Sequence, residues 1–249
     1  MGQLDQKSII VTGSSRGVGA DTAKILAGEG ASVVVNYRQK APRANKVVKA
    51  IEEAGGRAVA VGGDITDHDD VEALVAAAVQ NFGTLDVLVL NASGGMESDL
   101  GEDYALKLNR DAQLDLLRTA AQAMQPGSRV VFVTSHQAHF IHEVETMPEY
   151  EAVARSKRAG EDALVAEIPA LEERGIELVV VSGDMIEGTV TATLLNRARP
   201  GALEERRAEA GKLYSVEEIA QEGARMVTAD GASGHVERVG GAKGFVPEA

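Results

Sequence analysis

Between Thr12 and Gly19 the chain reads TGSSRGVG. Gly13, Gly17 and Gly19 let the backbone turn tightly and approach a pyrophosphate closely. A helix opening directly behind them would present free N–H groups and the positive end of its dipole. A glycine-rich run is weak by itself, but this one follows an apolar run and precedes helical spacing, the junction that a phosphate cradle requires. The tip of the second apolar run then bears on which dinucleotide fits. A carboxylate there would accept from a free ribose 2′-hydroxyl and repel a 2′-phosphate. Asn36, Tyr37 and Arg38 stand there instead, and Arg16 lies in the loop. Two guanidinium groups could clamp a phosphate from two sides, which predicts NADP(H) rather than NAD(H). The competing reading leaves Arg38 as a solvated loop residue.

The elements that must position this loop are legible as short apolar runs alternating with helical stretches. Strands are predicted over 8–13, 32–37, 58–64, 85–92, 129–135, 176–183 and in GHVERVGG at 234–241. Helices are predicted from about Val18 to Gly28, over 43–54, from 69 to the stop at Gly83, over about 103–124 before Pro126-Gly127, and as one long helix over 148–171. Continuous apolar strands alternating with helices imply a parallel sheet covered on both faces. With no composition shift, repeat or low-complexity tract, 1–249 reads as one doubly wound α/β domain of seven parallel strands. The least regular stretch, 184–215, holds a short charged helix within RARPGALEERRAEAG. It falls at the C-terminal edge of the sheet, where a substrate lid would sit, or is a plain solvated connection.

Composition narrows the partners. The 249 residues carry 25 Lys and Arg against 38 Asp and Glu, a formal charge of −13. Such acidity disfavours nucleic acid and anionic membrane surfaces. The absence of cysteine removes disulfides, thiolate nucleophiles and Cys-ligated zinc. No three-histidine spacing fixes a metal on a helix face, so no metal is expected. The apolar start of the chain is too short for a signal peptide and no run reaches a membrane span, so a cytoplasmic protein is expected.

The glycine loop, Asp64-Ile65, Asn91-Ala92, Asn109, Ser135 and Lys157, in that order, resemble the short-chain dehydrogenase/reductase family from about residue 5 to residue 241. The resemblance implies a Rossmann-type fold, a nicotinamide cofactor and a homo-oligomer built on helices around 104–124 and 150–166. It implies that Asp64 and Ile65 flank the adenine and that Asn91 and Ala92 lie under the cofactor. Lys157 would hold the ribose hydroxyls, and Thr189 would touch the phosphate or carboxamide end. Ser15, Val18, Ser93, Gly183 and Ile186 complete the cofactor-binding set. Ser135 would bind the substrate oxygen and Asn109 would hold a relay water. MPEYEAVARSKRAGEDAL and VVVSGDMIEG further resemble atypical members that tailor aromatic polyketides.

The chain departs from the family at one decisive place. The family's tyrosine stands four residues before the lysine, and here that position is Val153. The fourth strand is followed by Leu90-Asn91-Ala92-Ser93 and the sixth by Ser182-Gly183, both unusual for the family. The segment between Ser135 and Lys157 is longer than usual, with its extra residues in HQAHFIHEVETMPEY. Carbonyl reduction still needs a proton for the new alkoxide. Tyr150, one turn before Val153 and two turns before Lys157, is one candidate donor. His139 and His142 are others, while strand alternation directs His136 away from Ser135. A water held by Ser135, Asn109 and Lys157 would suffice for an activated carbonyl such as a quinone or β-dicarbonyl. The sequence therefore predicts an NADPH-dependent ketoreductase with an atypical proton relay. The alternatives are a non-catalytic NADP(H)-binding protein, or a lyase or isomerase on the same scaffold.

Overall fold

Seven β-branched runs form the predicted parallel sheet, here seen in a computed structural model that describes residues 2–96, 103–240 and 242–246. The strands are β1 (Ser8–Val11), β2 (Ser32–Tyr37), β3 (Arg57–Gly62), β4 (Leu85–Leu90), β5 (Met124–Ser135), β6 (Glu177–Gly183) and β9 (Val236–Val239); a short pair, β7 (Ile186–Glu187) and β8 (Tyr214–Ser215), stands apart. The sheet order is β3-β2-β1-β4-β5-β6-β9. Chain direction therefore reverses its spread between β1 and β4, which opens a crevice beyond their C-terminal ends.

Alternation along each strand divides the core into two layers. Ile9, Val11, Val33, Val35, Val89 and Val181 face one side. There they meet α1 (Gly17–Gly28), α2 (Ala41–Glu53) and α11 (Val216–Arg225). Ile10, Val34, Leu88, Leu90, Val130 and Val180 face the other. Their partners are α3 (His68–Phe82), α5 (Ala112–Ala123) and α7 (Glu151–Val165). The valine-rich composition thus suits a sheet covered on both faces, with every one of these strand residues at most 1% exposed.

Three predicted elements differ from those observed. The helix expected over 103–124 is α4 (Tyr104–Leu106), a π-turn at Lys107–Asp111, and then α5. The π-turn directs the Asn109 carbonyl at α7, where a Cβ on Gly160 would lie 1.9 Å from that oxygen, so only glycine fits at 160. The strand expected from 129 begins at Met124, and the register shift between Leu85 and Val87 absorbs the Pro126-Gly127 segment. The long helix expected over 148–171 is two: α7 ends at Val165 and α8 (Ile168–Glu172) restarts with Pro169 in its first turn, where proline's missing N–H costs no helix bond. Gly241 of the expected Gly-Gly exit lies outside the described residues.

The stretch 184–215 is more regular than its sequence suggests. It holds β7, α9 (Val190–Ala198), α10 (Ala202–Ala210) and β8. Thr189 caps α9 by accepting from Ala192 N at 3.1 Å, and left-handed Gly201 and Gly211 bracket α10. Among the described residues no helix is long and apolar enough to cross a membrane.

Candidate active site

The crevice beyond β1 and β4 is held open by one buried hydroxyl. Thr12 Oγ1 donates to Val89 O at 3.2 Å and accepts from Asn91 N and Ala92 N, each at 3.0 Å. Asn91 Nδ2 returns a bond to Thr12 O at 2.9 Å. The glycine loop therefore sits at a fixed distance from the Asn91-Ala92-Ser93 turn. Gly13 and Gly17 adopt φ of +62° and +58°, the left-handed region that disfavours side chains. A Cβ on Gly19 would lie 2.5 Å from Asn91 Nδ2 and 3.0 Å from Gly13 O. Asn36 locks the loop to the sheet: its Oδ1 accepts from Gly13 N at 3.2 Å and its Nδ2 donates to Val61 O and Gly63 O.

Around this loop runs a cleft of about 500 Å³, lined by Gly13, Ser15, Arg16, Gly17, Val18, Gly19, Asn36, Tyr37, Arg38, Asp64, Ile65, Asn91, Ala92, Ser93 and Thr189. Lys40 and Arg43 also line it and were not anticipated. They follow Arg38 directly in NYRQKAPR, so the run of cations after the second strand was the available signal. The Asp64 carboxylate lines the cleft too, its Oδ1 held by Thr66 N and Thr66 Oγ1 at 3.0 and 2.9 Å. Tyr104 reaches the same cleft from α4, its hydroxyl accepting from Arg38 Nη1, with the guanidinium carbon 5.7 Å from the ring centre. No sequence signal pointed to Tyr104, since only the folded chain brings α4 beside β2.

A second cavity of about 160 Å³ continues from the cleft, sharing Val18, Asn91, Ser93, Thr189 and Thr191 with it. Ser135, at the end of β5, opens into it together with Tyr150, Lys157, Gly183 and Ile186. Lys157 is 7% exposed, and its ammonium has no hydrogen-bond partner among the described residues. Tyr150 occupies the N-cap position of α7 rather than its first turn. Val153 lines neither cavity. It packs in one cluster with Tyr150, Ala138, Ala154 and Leu195, and a Cβ on Gly95 would come within 3.3 Å of it.

Asn109 is not brought to either cavity. Its Nδ2 donates to Gly94 O and to Ser156 Oγ, each at 2.9 Å, and its Oδ1 accepts from Gly94 N at 3.3 Å. The side chain thus builds the wall behind Ser93, and the expected relay role has no support from its position. The histidine candidates are likewise elsewhere. His136 is 1% exposed, with its rings of contact formed by Phe140 and Phe245. Its Nε2 donates to Val239 O at 3.2 Å, which leaves Nδ1 to accept from Ser182 Oγ at 2.8 Å. Burial, the largest influence, pushes its pKa down to about 4. His139 Nδ1 meets Glu161 Oε1 at 2.5 Å, and His142 is exposed.

Two further cavity residues escaped the sequence. Asp184 is held by Arg206 through bonds of 3.0 and 2.9 Å from Nε and 2.8 Å from Nη2. Arg206 also donates to Lys243 O at 2.6 Å and lies 4.4 Å from the Phe245 ring centre. This buried pair ties α10 to the end of β6 and to the C-terminal segment. Gln137 lines the cavity two residues after Ser135. Among the described residues no cluster of three His, Asp or Glu side chains suits a metal ion.

Known proteins resemble this chain in sequence and fold. A family profile described as short chain dehydrogenase matches residues 7–199. A hydroxynaphthalene reductase from Aspergillus fumigatus is 39% identical over 138 residues, 53% of this chain and 50% of that protein. The match therefore spans about half the length of that relative. A short chain dehydrogenase from Burkholderia cenocepacia, solved in complex with NADP, is 29% identical with a TM-score of 0.80, covering 96% of this chain and 99% of that one. An angucycline C-6 ketoreductase with bound NADP is 26% identical with a TM-score of 0.82, covering 97% of each chain.

Proposed function

This chain belongs to the short chain dehydrogenase family, and from that premise we propose that it is an NADPH-dependent reductase of an activated carbonyl, with Tyr150 as proton donor. The fit of the cofactor is supported by the left-handed glycines, the close approach of Gly19 to Asn91 and Gly13 that leaves no room for a Cβ, and four cations around one cleft. Arg16, Arg38, Lys40 and Arg43 would hold the 2′-phosphate, the glycine loop the pyrophosphate, and Lys157 the ribose hydroxyls. Bound there, NADPH supplies the hydride, which no side chain can provide.

The chain's own residues do the rest. Ser135 donates a hydrogen bond to the carbonyl oxygen and orients it. Lys157, a buried ammonium without a hydrogen-bond partner among the described residues, lowers the energy of negative charge growing on that oxygen. Tyr150 gives its phenolic proton to the alkoxide. The segment 184–215 covers the cavity, anchored by Asp184–Arg206. The observation that most supports this reading is that Ser135, Tyr150 and Lys157 open into one cavity continuous with the glycine-loop cleft.

The substrate is proposed to be a polycyclic aromatic ketone or quinone of the polyketide type. Met185, Leu195 and Val133 give the cavity apolar walls, and the names of the related hydroxynaphthalene reductase and angucycline ketoreductase fit such a compound. A homo-oligomer built on α5 and α7 accompanies this reading. The test is NADPH oxidation with 1,4-naphthoquinone and 2-tetralone. One NADPH consumed per product, with NADH a poor substitute, is expected. NADPH binding without consumption, or product formed with NADPH intact, would overturn it.

A further inference from the structure

Gln137 is 8% exposed and lines the smaller cavity. Its carbonyl end is fixed from outside that cavity by the inserted segment: Met147 N donates to Oε1 at 3.1 Å, and Thr146 Oγ1 donates to the same oxygen. A backbone N–H can only donate, so the atom facing it must be the amide oxygen. The amide orientation is therefore settled, and the NH2 group is the end left over. It has no acceptor among the described residues, although it is not sealed from the cavity space.

The other polar groups of the cavity sharpen the point. The single carboxylate, Asp184, is saturated by Arg206 and by Met185 N, which donates at 2.7 Å. Lys157 can only donate. Ser135 Oγ accepts from Ala138 N at 3.4 Å, leaving its proton free. Reduction of a simple ketone needs Ser135, Tyr150 and Lys157 around one oxygen. The Gln137 NH2 is then a surplus donor, and a substrate that covers it without offering an acceptor leaves it unpaired at a cost.

We propose that the Gln137 amide reads a second oxygen on the substrate, so that the cavity selects carbonyl compounds bearing a neighbouring hydroxyl or carbonyl oxygen over those with one oxygen at that edge. The proposal rests on the reductase reading and adds a specificity-determining residue to it. The segment inserted between Ser135 and Lys157 gains a purpose: through Thr146 and Met147 it sets the direction of that amide.

The test compares 5-hydroxy-1,4-naphthoquinone with 1,4-naphthoquinone, bound to the NADP+-saturated protein and followed by visible difference spectra. The chain's lack of cysteine keeps thiol addition to the quinones out of the experiment. The wild-type protein is expected to prefer the 5-hydroxy compound by about 10-fold, the worth of one satisfied hydrogen bond. Gln137→Leu removes the donor and should shrink the preference to within about 2-fold. Gln137→Glu keeps an oxygen for Met147 and Thr146, so it guards against a folding defect. It should also erase the preference, because the 5-hydroxyl proton is already bonded to the adjacent carbonyl and only lone pairs face the carboxylate. No preference in the wild type, or a preference that survives in Gln137→Glu, would overturn the assignment. Binding of both quinones with no effect of either variant would sink the Gln137 role alone; absence of NADPH consumption when NADPH replaces NADP+ in a parallel assay of the wild type would sink the reductase reading beneath it.

Discussion

Tyr150 and Lys157 open into one cavity although they stand seven residues apart. Val153, between them in sequence, does not line it and lies in one apolar cluster with Tyr150 itself, Ala138, Ala154 and Leu195. The helix begins at Glu151, and Tyr150 at its N-cap keeps helical φ and ψ and accepts from Ala154 N at 2.8 Å, so it stands two turns before Lys157 on a similar helix face. A tyrosine displaced by one turn from the usual position thus still opens into the same cavity as the lysine. The segment 136–150 supplies the extra chain that makes this entry possible.

Cofactor choice should follow the cations at the tip of β2. Arg38→Ala combined with Arg43→Ala should weaken NADPH binding by about 10- to 100-fold, as expected for lost charge-assisted bonds, and leave NADH affinity nearly unaltered. Fluorescence titration of each nucleotide reads this directly. Equal losses for both nucleotides would instead place these residues on the shared part of the dinucleotide.

The Asp184–Arg206 pair is buried, with side chains 7% and 5% exposed. Removing one partner leaves an uncompensated charge, at a cost on the order of 3–5 kcal/mol. Arg206→Ala should therefore lower the Tm by roughly 6–20 °C for a chain of this size. Replacing both by apolar residues, Arg206→Met with Asp184→Leu, should recover much of the loss. Thermal melts of the single and double variants separate the two effects.

His136 makes stability depend on pH. Its native pKa is near 4, below the unfolded value of about 6.5. The unfolded chain thus binds the extra proton first. The contribution is complete above pH 6.5 and is lost as pH falls toward 4, amounting to roughly 3 kcal/mol. His136→Gln can still donate to Val239 O and should flatten the fall in Tm between pH 6.5 and 4. A variant that melts in parallel with the wild type across that range would contradict this.

Much of the architecture was legible because its signals are local. Ile9, Ile10 and Val11, or Val33 to Val35, can only be strands buried on both faces, and Gly13, Gly17 and Gly19 mark the turn beyond them. Ser135 and Lys157 were found by resemblance and lie in the cavity. What the sequence hid depends on tertiary geometry. The π-turn at Asn109 exists because Gly160 on another helix admits its carbonyl, and nothing near Asn109 announces it. Gln137 and Asp184 became visible only once Met147 and Arg206 were seen to orient them. Lys40 and Arg43 were within reach, as they continue the basic run after Arg38.

The central claim is that Tyr150 delivers the proton, and two substrates test it most directly. Reduction of 2-tetralone creates a basic alkoxide that needs an acid, whereas the hydroquinone anion from 1,4-naphthoquinone is stable without one. Initial rates of NADPH oxidation are to be compared for the wild type and Tyr150→Phe. The account predicts a loss beyond ~100-fold with 2-tetralone, the usual worth of a general acid, and a far smaller one with 1,4-naphthoquinone. Similar rates for both proteins with 2-tetralone, or equal losses with both substrates, would contradict it.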